Sequence, residues 1–305
     1  MTAETTAAIP AARRCAPHPR LSLNQATIKY ASLRDALEVT RSAGIESIGL
    51  WRESVAEVGL QEAARMLRDS GLRMSSLCRA GFFTAPDGGD FGRMLDENRR
   101  AIEEAATLAD AAAPGSRAVV VLVAGGLPSG SRDLVGARQQ VADALEILAP
   151  DAAAHGVQLA IEPLHPMYAA DRAVVSTLEQ ALDLAAPHEP ASVGVVVDAF
   201  HVWWDPAVTR SIARAGDEDR IASYQVCDWL TPIAADPLLS RGLPGDGHID
   251  FAALTAVVDA AGYVGDVEVE VFNQAIWDAA YDEVAARVID AVAAHVPLSS
   301  GRPAR

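Results

Sequence analysis

Eight short apolar runs alternate along the chain with longer stretches in which apolar residues recur at the spacing of a helix. The runs at 118–123 (AVVVLV) and 193–198 (VGVVVD) are β-branched and apolar almost throughout, which is typical of parallel strands covered on both faces. Eight strands, each followed by a helix, predict an α/β protein of the (β/α)8 TIM-barrel class, for which roughly 250 residues suffice. The other predicted strands are 21–24, 47–51, 74–78, 157–162, 222–227 and 267–272.

This barrel accounts for residues 21–298 as a single catalytic domain, because no interdomain linker interrupts the alternation. Residues 1–20 are rich in Ala, Thr and Pro and predict a disordered leader, and residues 299–305 predict a disordered tail. A doubly wound sheet is the alternative fold, but its dinucleotide site requires a glycine-rich loop after the first strand, and LNQATIKYAS contains no glycine. The predicted helices include 33–43, 57–69 and 175–186, with Ser32–Asp35 and Ser176–Glu179 as capping pairs.

The charge composition disfavours several classes of function. The chain has 25 basic and 41 acidic residues, a net charge of −16, which disfavours binding to nucleic acid or to an anionic membrane surface. Lys29 is the only lysine, so a Schiff-base enzyme would depend on that one residue, and the scarcity of lysine favours a neutral sugar over a phosphorylated one. Three cysteines without disulfide or metal spacing, and no run of about 20 apolar residues, predict a cytoplasmic protein without a membrane span.

The candidate site consists of polar residues at the ends of the later strands, because barrel active sites form at the carboxyl ends of the strands. Glu162, Asp198 and Glu270 each close or interrupt an apolar run, and a buried carboxylate is costly unless a cation compensates it. A divalent metal is the simplest compensation, and Gln225 can add an amide oxygen. This all-oxygen set favours Mn²⁺, with Mg²⁺ or Co²⁺ as alternatives to it. The competing interpretation is ion pairing with Arg52, Arg79 or Arg241.

Five segments in this order carry a family resemblance: IEPLHP, VVVDAFHVWW, SYQVCDW, RGLPGDGHID and VEVEVF. The chain resembles the sugar phosphate isomerase/epimerase family of xylose-isomerase-like barrels from about Leu21 to Val296. The resemblance is closest to the branch with inosose isomerases and dehydratases and keto-sugar epimerases. It implies a small-molecule carbohydrate substrate, a divalent metal cofactor and, since relatives often form dimers or tetramers, a possible homo-oligomer.

The resemblance also implies roles for individual residues. It assigns metal binding to Glu162, Asp198 and Glu270, and substrate contact to His201 and to Arg241 in its glycine-rich loop. The remaining ligand is usually histidine in the family, whereas this sequence has Gln225 at that position. An amide in place of an imidazole should weaken zinc and copper binding more than manganese binding.

The chemistry implied by the family is removal of a proton beside a carbonyl group, assisted by the metal. Glu162 and Glu270 are the expected base and acid, and His165, three residues after Glu162, is a second candidate base. Trp51 and Trp229 offer faces for stacking on a sugar, although packing at the barrel rim is an equal interpretation. Reprotonation would give an isomerase or epimerase, expulsion of a β-leaving group would give a lyase, and a metal-dependent endonuclease is the less favoured third interpretation.

Overall fold

The computed structural model describes residues 15–84 and 90–299, and its central feature is a closed barrel of eight parallel strands. Around the barrel the strands follow the order β1-β10-β7-β6-β5-β4-β3-β2, so the predicted TIM barrel is confirmed. The barrel strands are β1 (Leu21–Asn24), β2 (Ser47–Trp51), β3 (Arg73–Gly81), β4 (Val119–Val123), β5 (Gln158–Glu162), β6 (Val193–Asp198), β7 (Ile221–Val226) and β10 (Val267–Val269). Two short strands, β8 (Asp228–Trp229) and β9 (Arg241–Gly242), pair antiparallel above the barrel.

Helices follow the barrel strands, and none of those within the described ranges is long and apolar enough to cross a membrane. They are α1 (Leu33–Ser42), α2 (Arg52–Val58), α3 (Leu60–Ser70), α4 (Phe91–Ala111), α5 (Leu134–His155), α6 (Leu178–Ala185), α7 (Ala199–Val202), α8 (Val208–Asp217), α9 (Phe251–Ala260), α10 (Gln274–Trp277) and α11 (Tyr281–His295).

Two local predictions about these helices were wrong. The single helix predicted over 57–69 is two helices, α2 and α3, because Gly59 between them has a φ of 85° and breaks the helical path. The cap of α6 lies one residue later than predicted, since the Thr177 side chain accepts from the Gln180 N–H. The Ser32 cap of α1 is confirmed.

The barrel strands are apolar on both faces because each face packs against a different core. Along β4, Val119 and Val121 point into the barrel, where they pack with Ala160, Val196 and Ala222. The alternate residues of β4 face the surrounding helices and belong to the larger outer core. The period of two therefore places every second residue of a strand either inside the barrel or beneath a helix.

The last residue of the predicted leader is anchored at the amino-terminal side of the barrel. Arg20, expected at the end of the leader, is buried and donates to the Gly265 carbonyl at 2.8 Å, to Asp259 at 3.0 Å and to Ser299 Oγ at 3.1 Å. The predicted leader is rich in small residues, so its composition does not reveal that its last residue, Arg20, is an anchor. Residues 1–14 of the predicted leader and 300–305 of the predicted tail lie outside the described residues.

Candidate active site

A cavity of about 570 Å³ lies at the carboxyl ends of the barrel strands. Trp51 ends β2, Glu162 ends β5, and both line this cavity together with Glu270. The last barrel strand stops at Val269, three residues earlier than predicted, although the Glu270 N–H still donates to the Val226 carbonyl at 3.3 Å. The face at which barrel active sites form is therefore the face that holds this cavity.

Two of the predicted carboxylates meet at the floor of this cavity. Glu162 on β5 and Asp198 on β6 lie close enough that one oxygen of each, together with a ring nitrogen of His201, all fall within 4.8 Å of one another. All three residues are buried. Asp198 is held in place because its Oδ1 accepts from the Phe200 N–H at 2.7 Å, at the start of α7.

Arg241 provides the cation that compensates part of this charge. Its Nη1 lies 3.0 Å from Glu270 Oε2 and 3.3 Å from Asp198 Oδ2, and its guanidinium packs between the rings of Phe200 and Phe272. The ion-pair interpretation thus holds for Arg241, whereas Arg52 pairs elsewhere, with Glu97 and Glu104. One guanidinium facing three carboxylates leaves an excess of negative charge when all are ionised.

The pKa values of the three carboxyl groups reflect their burial and this excess of negative charge. Burial raises the pKa of Glu162 well above its ordinary value, and the charges of Asp198 and Glu270 raise it further. Burial also raises the pKa of Glu270 to about 8, although Arg241 acts in the opposite direction, and it raises the pKa of Asp198. A divalent cation among them would allow all three carboxylates to stay ionised.

Gln225 supplies the observation that tests whether a metal fits here. Strand register places it between Asp198 on β6 and Glu268 on β10. Its Nε2 donates to Glu268 Oε1 at 3.1 Å, which leaves its Oε1 buried and without a hydrogen-bond partner in the described part of the chain. A buried unpaired carbonyl oxygen beside a surplus of carboxylates is a donor set that a hard divalent cation satisfies.

Glu268 lies inside the barrel and is surrounded by donors that the sequence did not reveal. Its carboxylate accepts from Asn24 Nδ2 at 2.6 Å, from Ser76 Oγ at 2.9 Å and from Ser75 Oγ. Gly49 makes room for it, since a Cβ at that position would lie 2.6 Å from the Glu268 carboxyl carbon. Glu268 is therefore fully engaged within the barrel and fixes the Gln225 amide.

His201 lies with Glu162 and Asp198 in a cluster whose ligand atoms could hold a metal ion. Its Nδ1 lies 3.1 Å from the His165 N–H, and its Nε2 lies 3.0 Å from Arg241 Nη2. Burial, with the nearby Arg241 charge, lowers the pKa of His201 well below its usual range and keeps the ring neutral. The His165 N–H and the Arg241 guanidinium can only donate, whereas a neutral imidazole has one acceptor nitrogen, so the ring can accept from only one of them.

Two predicted residues do not reach the cavity. The His165 ring packs against Trp204 and Trp229 with centroids 5.3 and 5.0 Å apart, and its Nδ1 accepts from the Met167 N–H at 3.2 Å. Trp229 packs on Phe200, with ring centroids 4.7 Å apart, and like His165 it does not line the cavity. The structure thus supplies no catalytic contact for His165 and no stacking face at Trp229, whereas Trp51 does line the cavity.

Four residues of the cavity wall were missed or undervalued in the sequence: Gln25, Lys29, Arg79 and Tyr168. Burial raises the pKa of Tyr168 to about 12, and its hydroxyl is without a hydrogen-bond partner within 15–84 and 90–299. The scarcity of lysine was taken to favour a neutral sugar, but Lys29, the one lysine of the chain, lies at this cavity. The available signal was position, since Gln25 and Arg79 end or directly follow predicted strands.

Known proteins resemble this chain over most of its length. The crystal structure of protein SMc04130 from Sinorhizobium meliloti 1021 is 45% identical, with a TM-score of 0.85 over 91% of this chain and 98% of that one. The inosose isomerase of Bacillus velezensis is 26% identical over 263 residues, which is 83% of this chain and 89% of that protein.

A third relative matches in part only. The 3-dehydroshikimate dehydratase of Pseudomonas aeruginosa is 35% identical over 146 residues, 46% of this chain, and this match spans only 22% of the dehydratase. The family model for the xylose isomerase-like TIM barrel matches residues 37–291, most of the described barrel. The chain belongs to the xylose isomerase-like TIM barrel family.

Proposed function

We propose that this protein is a divalent-metal-dependent isomerase or epimerase that removes a proton beside the carbonyl of a keto-sugar, keto-inositol or keto-glycoside. The observation that carries the proposal is the group of three buried carboxylates at the cavity, of which Asp198 and Glu270 pair with Arg241 while Glu162 lies beside Asp198, together with the Gln225 amide oxygen that is unpaired within the described residues. The likeness to an inosose isomerase over 89% of that protein supports the same class of reaction.

Four residues would hold the metal: Glu162, Asp198, Gln225 and Glu270. Because all four offer oxygen, Mn²⁺ is the proposed ion, with Mg²⁺ or Co²⁺ as substitutes. When bound, such a cation supplies stabilisation of negative charge at the substrate carbonyl oxygen. His201 lies next to this ligand set, with one ring nitrogen within 4.8 Å of an oxygen of Glu162 and of Asp198.

Proton transfer falls to the two glutamates that line the cavity. Glu162 and Glu270 are both buried and both face the cavity, so one can take the proton from carbon while the other returns it. Arg241 and His201 both line the cavity and would hold and orient the substrate oxygen. His165 has no part in this scheme, since its ring packs between tryptophans away from the cavity.

A lyase of the same fold is the second candidate. The unpartnered Tyr168 hydroxyl faces the cavity with its proton retained, so it could donate to a leaving group expelled from the β-carbon. The partial likeness to a 3-dehydroshikimate dehydratase supports this outcome. The two candidates share the first step, removal of the proton beside the carbonyl. They differ only in the second step, which is either return of a proton to carbon or expulsion of the leaving group.

The decisive experiment incubates the Mn²⁺-loaded protein with a panel of keto-sugars, keto-inositols and 3-keto-glycosides in D₂O. Mass spectrometry should find deuterium beside the carbonyl, and NMR of the products should distinguish an epimer from an eliminated product. Chelator and Glu270→Gln should each abolish exchange, whereas Glu103→Gln, on the exposed face of α4, should leave it unchanged. Exchange that persists without metal, or no exchange across the panel, would show the proposal to be wrong.

A further inference from the structure

One wall of the cavity presents side-chain donors that the protein itself does not use. Gln25 follows β1, Arg79 lies on β3 and Lys29 lies at the rim, and all three line the cavity. Arg79 and Lys29 are exposed to water, whereas Gln25 is buried, and a buried donor usually has a hydrogen-bond partner. A buried unused donor beside two cations that are unpaired within the described residues indicates a ligand rich in acceptors.

Arg79 is the principal donor. Its guanidinium lies 5.5 Å from the Trp51 ring and 5.2 Å from the Phe82 ring, and it makes no hydrogen bond or ion pair with any residue in 15–84 or 90–299. Acidic residues outnumber basic ones by 41 to 25 in this chain, so an arginine without an acidic partner is not explained by a shortage of carboxylates. The two aromatic contacts orient the guanidinium and leave its N–H groups available.

Gln25 supplies an independent observation. It is only 2% exposed, and its Oε1 accepts from the Trp51 N–H at 3.3 Å. Because a backbone N–H can only donate, this contact fixes which end of the amide carries oxygen. The Nε2 is then a buried donor without a partner in the described structure, beside the same tryptophan that contacts Arg79.

The acidic residues of the cavity do not neutralise this wall. Glu53 and Glu57 also line the cavity but are exposed at its rim, where water screens them. Glu162 and Glu270 belong to the proposed metal centre, and Glu270 is paired with Arg241. Lys29 is the remaining cation of the wall, with its Nζ 4.4 Å from the centre of the Trp277 ring.

We infer that Arg79 and Gln25 form an anion subsite that binds a carboxylate of the substrate, so the keto-sugar, keto-inositol or keto-glycoside that reacts carries a carboxylate and is not neutral. A carboxylate matches the planar fork of a guanidinium, with the Gln25 amide able to donate to the same group. A phosphate subsite would typically use backbone N–H groups of a glycine-rich loop, and Gly125 and Gly126 do not line the cavity. This inference rests on the proposed function, because it assigns a substrate class to the same cavity.

The test measures binding of unreactive ligands, so it does not depend on catalysis. Isothermal titration calorimetry compares quinate, a cyclic polyhydroxy carboxylate, with myo-inositol, its uncharged counterpart of similar size, with and without Mn²⁺. The full-length protein should bind quinate at least about tenfold more tightly, the difference expected for a charge-assisted contact. Arg79→Met should abolish that preference and leave myo-inositol binding unchanged, whereas Arg65→Met, on exposed α3, should alter neither.

A second variant guards against a folding artefact. Gln25→Glu keeps an oxygen to accept from the Trp51 N–H but replaces the unpaired donor by a negative charge, so it should weaken quinate binding about tenfold or more. Equal affinity for the two ligands, failure of quinate to bind, or a full preference for quinate in Arg79→Met would overturn the inference. Binding of inorganic phosphate without binding of quinate would assign the wall to phosphate instead and would equally refute the inference. Deuterium exchange with neutral keto-sugars alone would support the proposed function while contradicting this substrate class.

Discussion

Removal of the buried guanidinium at the cavity floor should destabilise the protein in a way that depends on metal. Arg241→Met keeps much of the side-chain volume between Phe200 and Phe272 but removes the cation that lies 3.0 Å from Glu270 and 3.3 Å from Asp198. At 3.3 Å and an effective dielectric constant of about 20, the pair with Asp198 is worth about 5 kcal/mol before desolvation. Loss of one partner from a buried pair costs about 3–5 kcal/mol, and at about 2 °C per kcal/mol the metal-free variant should melt about 6–10 °C lower.

Metal should restore part of that loss, because the proposed site would then supply the missing positive charge. Thermal denaturation with chelator and with saturating Mn²⁺ measures this, and the Mn²⁺-induced rise in melting temperature should be larger in Arg241→Met than in the wild type. Arg20→Met is the matched control, since Arg20 is equally buried and paired with Asp259, but at the opposite end of the barrel. It should lower the melting temperature by the same amount with and without Mn²⁺. A loss in Arg241→Met that is below about 1 kcal/mol, or that metal does not change, would refute the electrostatic account of this site.

Three further predictions concern single groups of the site. Gln225→Leu should lower Mn²⁺ affinity about tenfold or more by calorimetry while shifting the metal-free unfolding free energy by less than about 1 kcal/mol, and unchanged affinity would remove Gln225 from the ligand set. Because burial raises the pKa of Glu270 to about 8 from 4.5, the folded metal-free protein binds a proton there that the unfolded chain releases. Its unfolding free energy should therefore fall as pH rises from about 5 to 8, by up to about 1.4 kcal/mol per pH unit, and Glu270→Gln should flatten the urea-denaturation profile. A wild-type profile that rises over this range would contradict the raised pKa. Tyr168→Phe removes a hydroxyl without a partner in the described residues, so stability should stay within about 0.5 kcal/mol. For an elimination, kcat should fall about tenfold or more, whereas kcat for an epimerisation should not change, and an unaltered kcat for elimination would exclude Tyr168 as the donor to the leaving group.

The barrel and its carboxylates could be predicted because both arise from local patterns. The bounds 21–24, 47–51 and 193–198 were predicted to the residue, since apolar β-branched runs are short and are followed by polar residues. Position at a strand end was then enough to select Glu162 and Asp198, because the topology of a parallel barrel brings all such ends to one face.

The interactions between strands could not be predicted in this way. The donors to Glu268 come from Asn24, Ser75 and Ser76, which are remote in sequence and become neighbours only when the strand register is set. The path of the loop after β5 was equally hidden, so His165 was expected at the cavity although its ring packs against Trp204 and Trp229. Periodicity reports which face of an element is buried, but it does not report where a loop directs its side chains.

The amide at position 225 has a consequence for how such a site would respond to acid. An imidazole ligand competes for its metal with protons near neutral pH, since it must lose a proton before it can coordinate. The Gln225 carbonyl oxygen has no proton to lose and is already oriented by its bond to Glu268. Release of metal on acidification would therefore be governed by the carboxylates alone, whose raised pKa values already let protons compete with the metal near neutral pH, and Gln225→His would add one more titrating ligand.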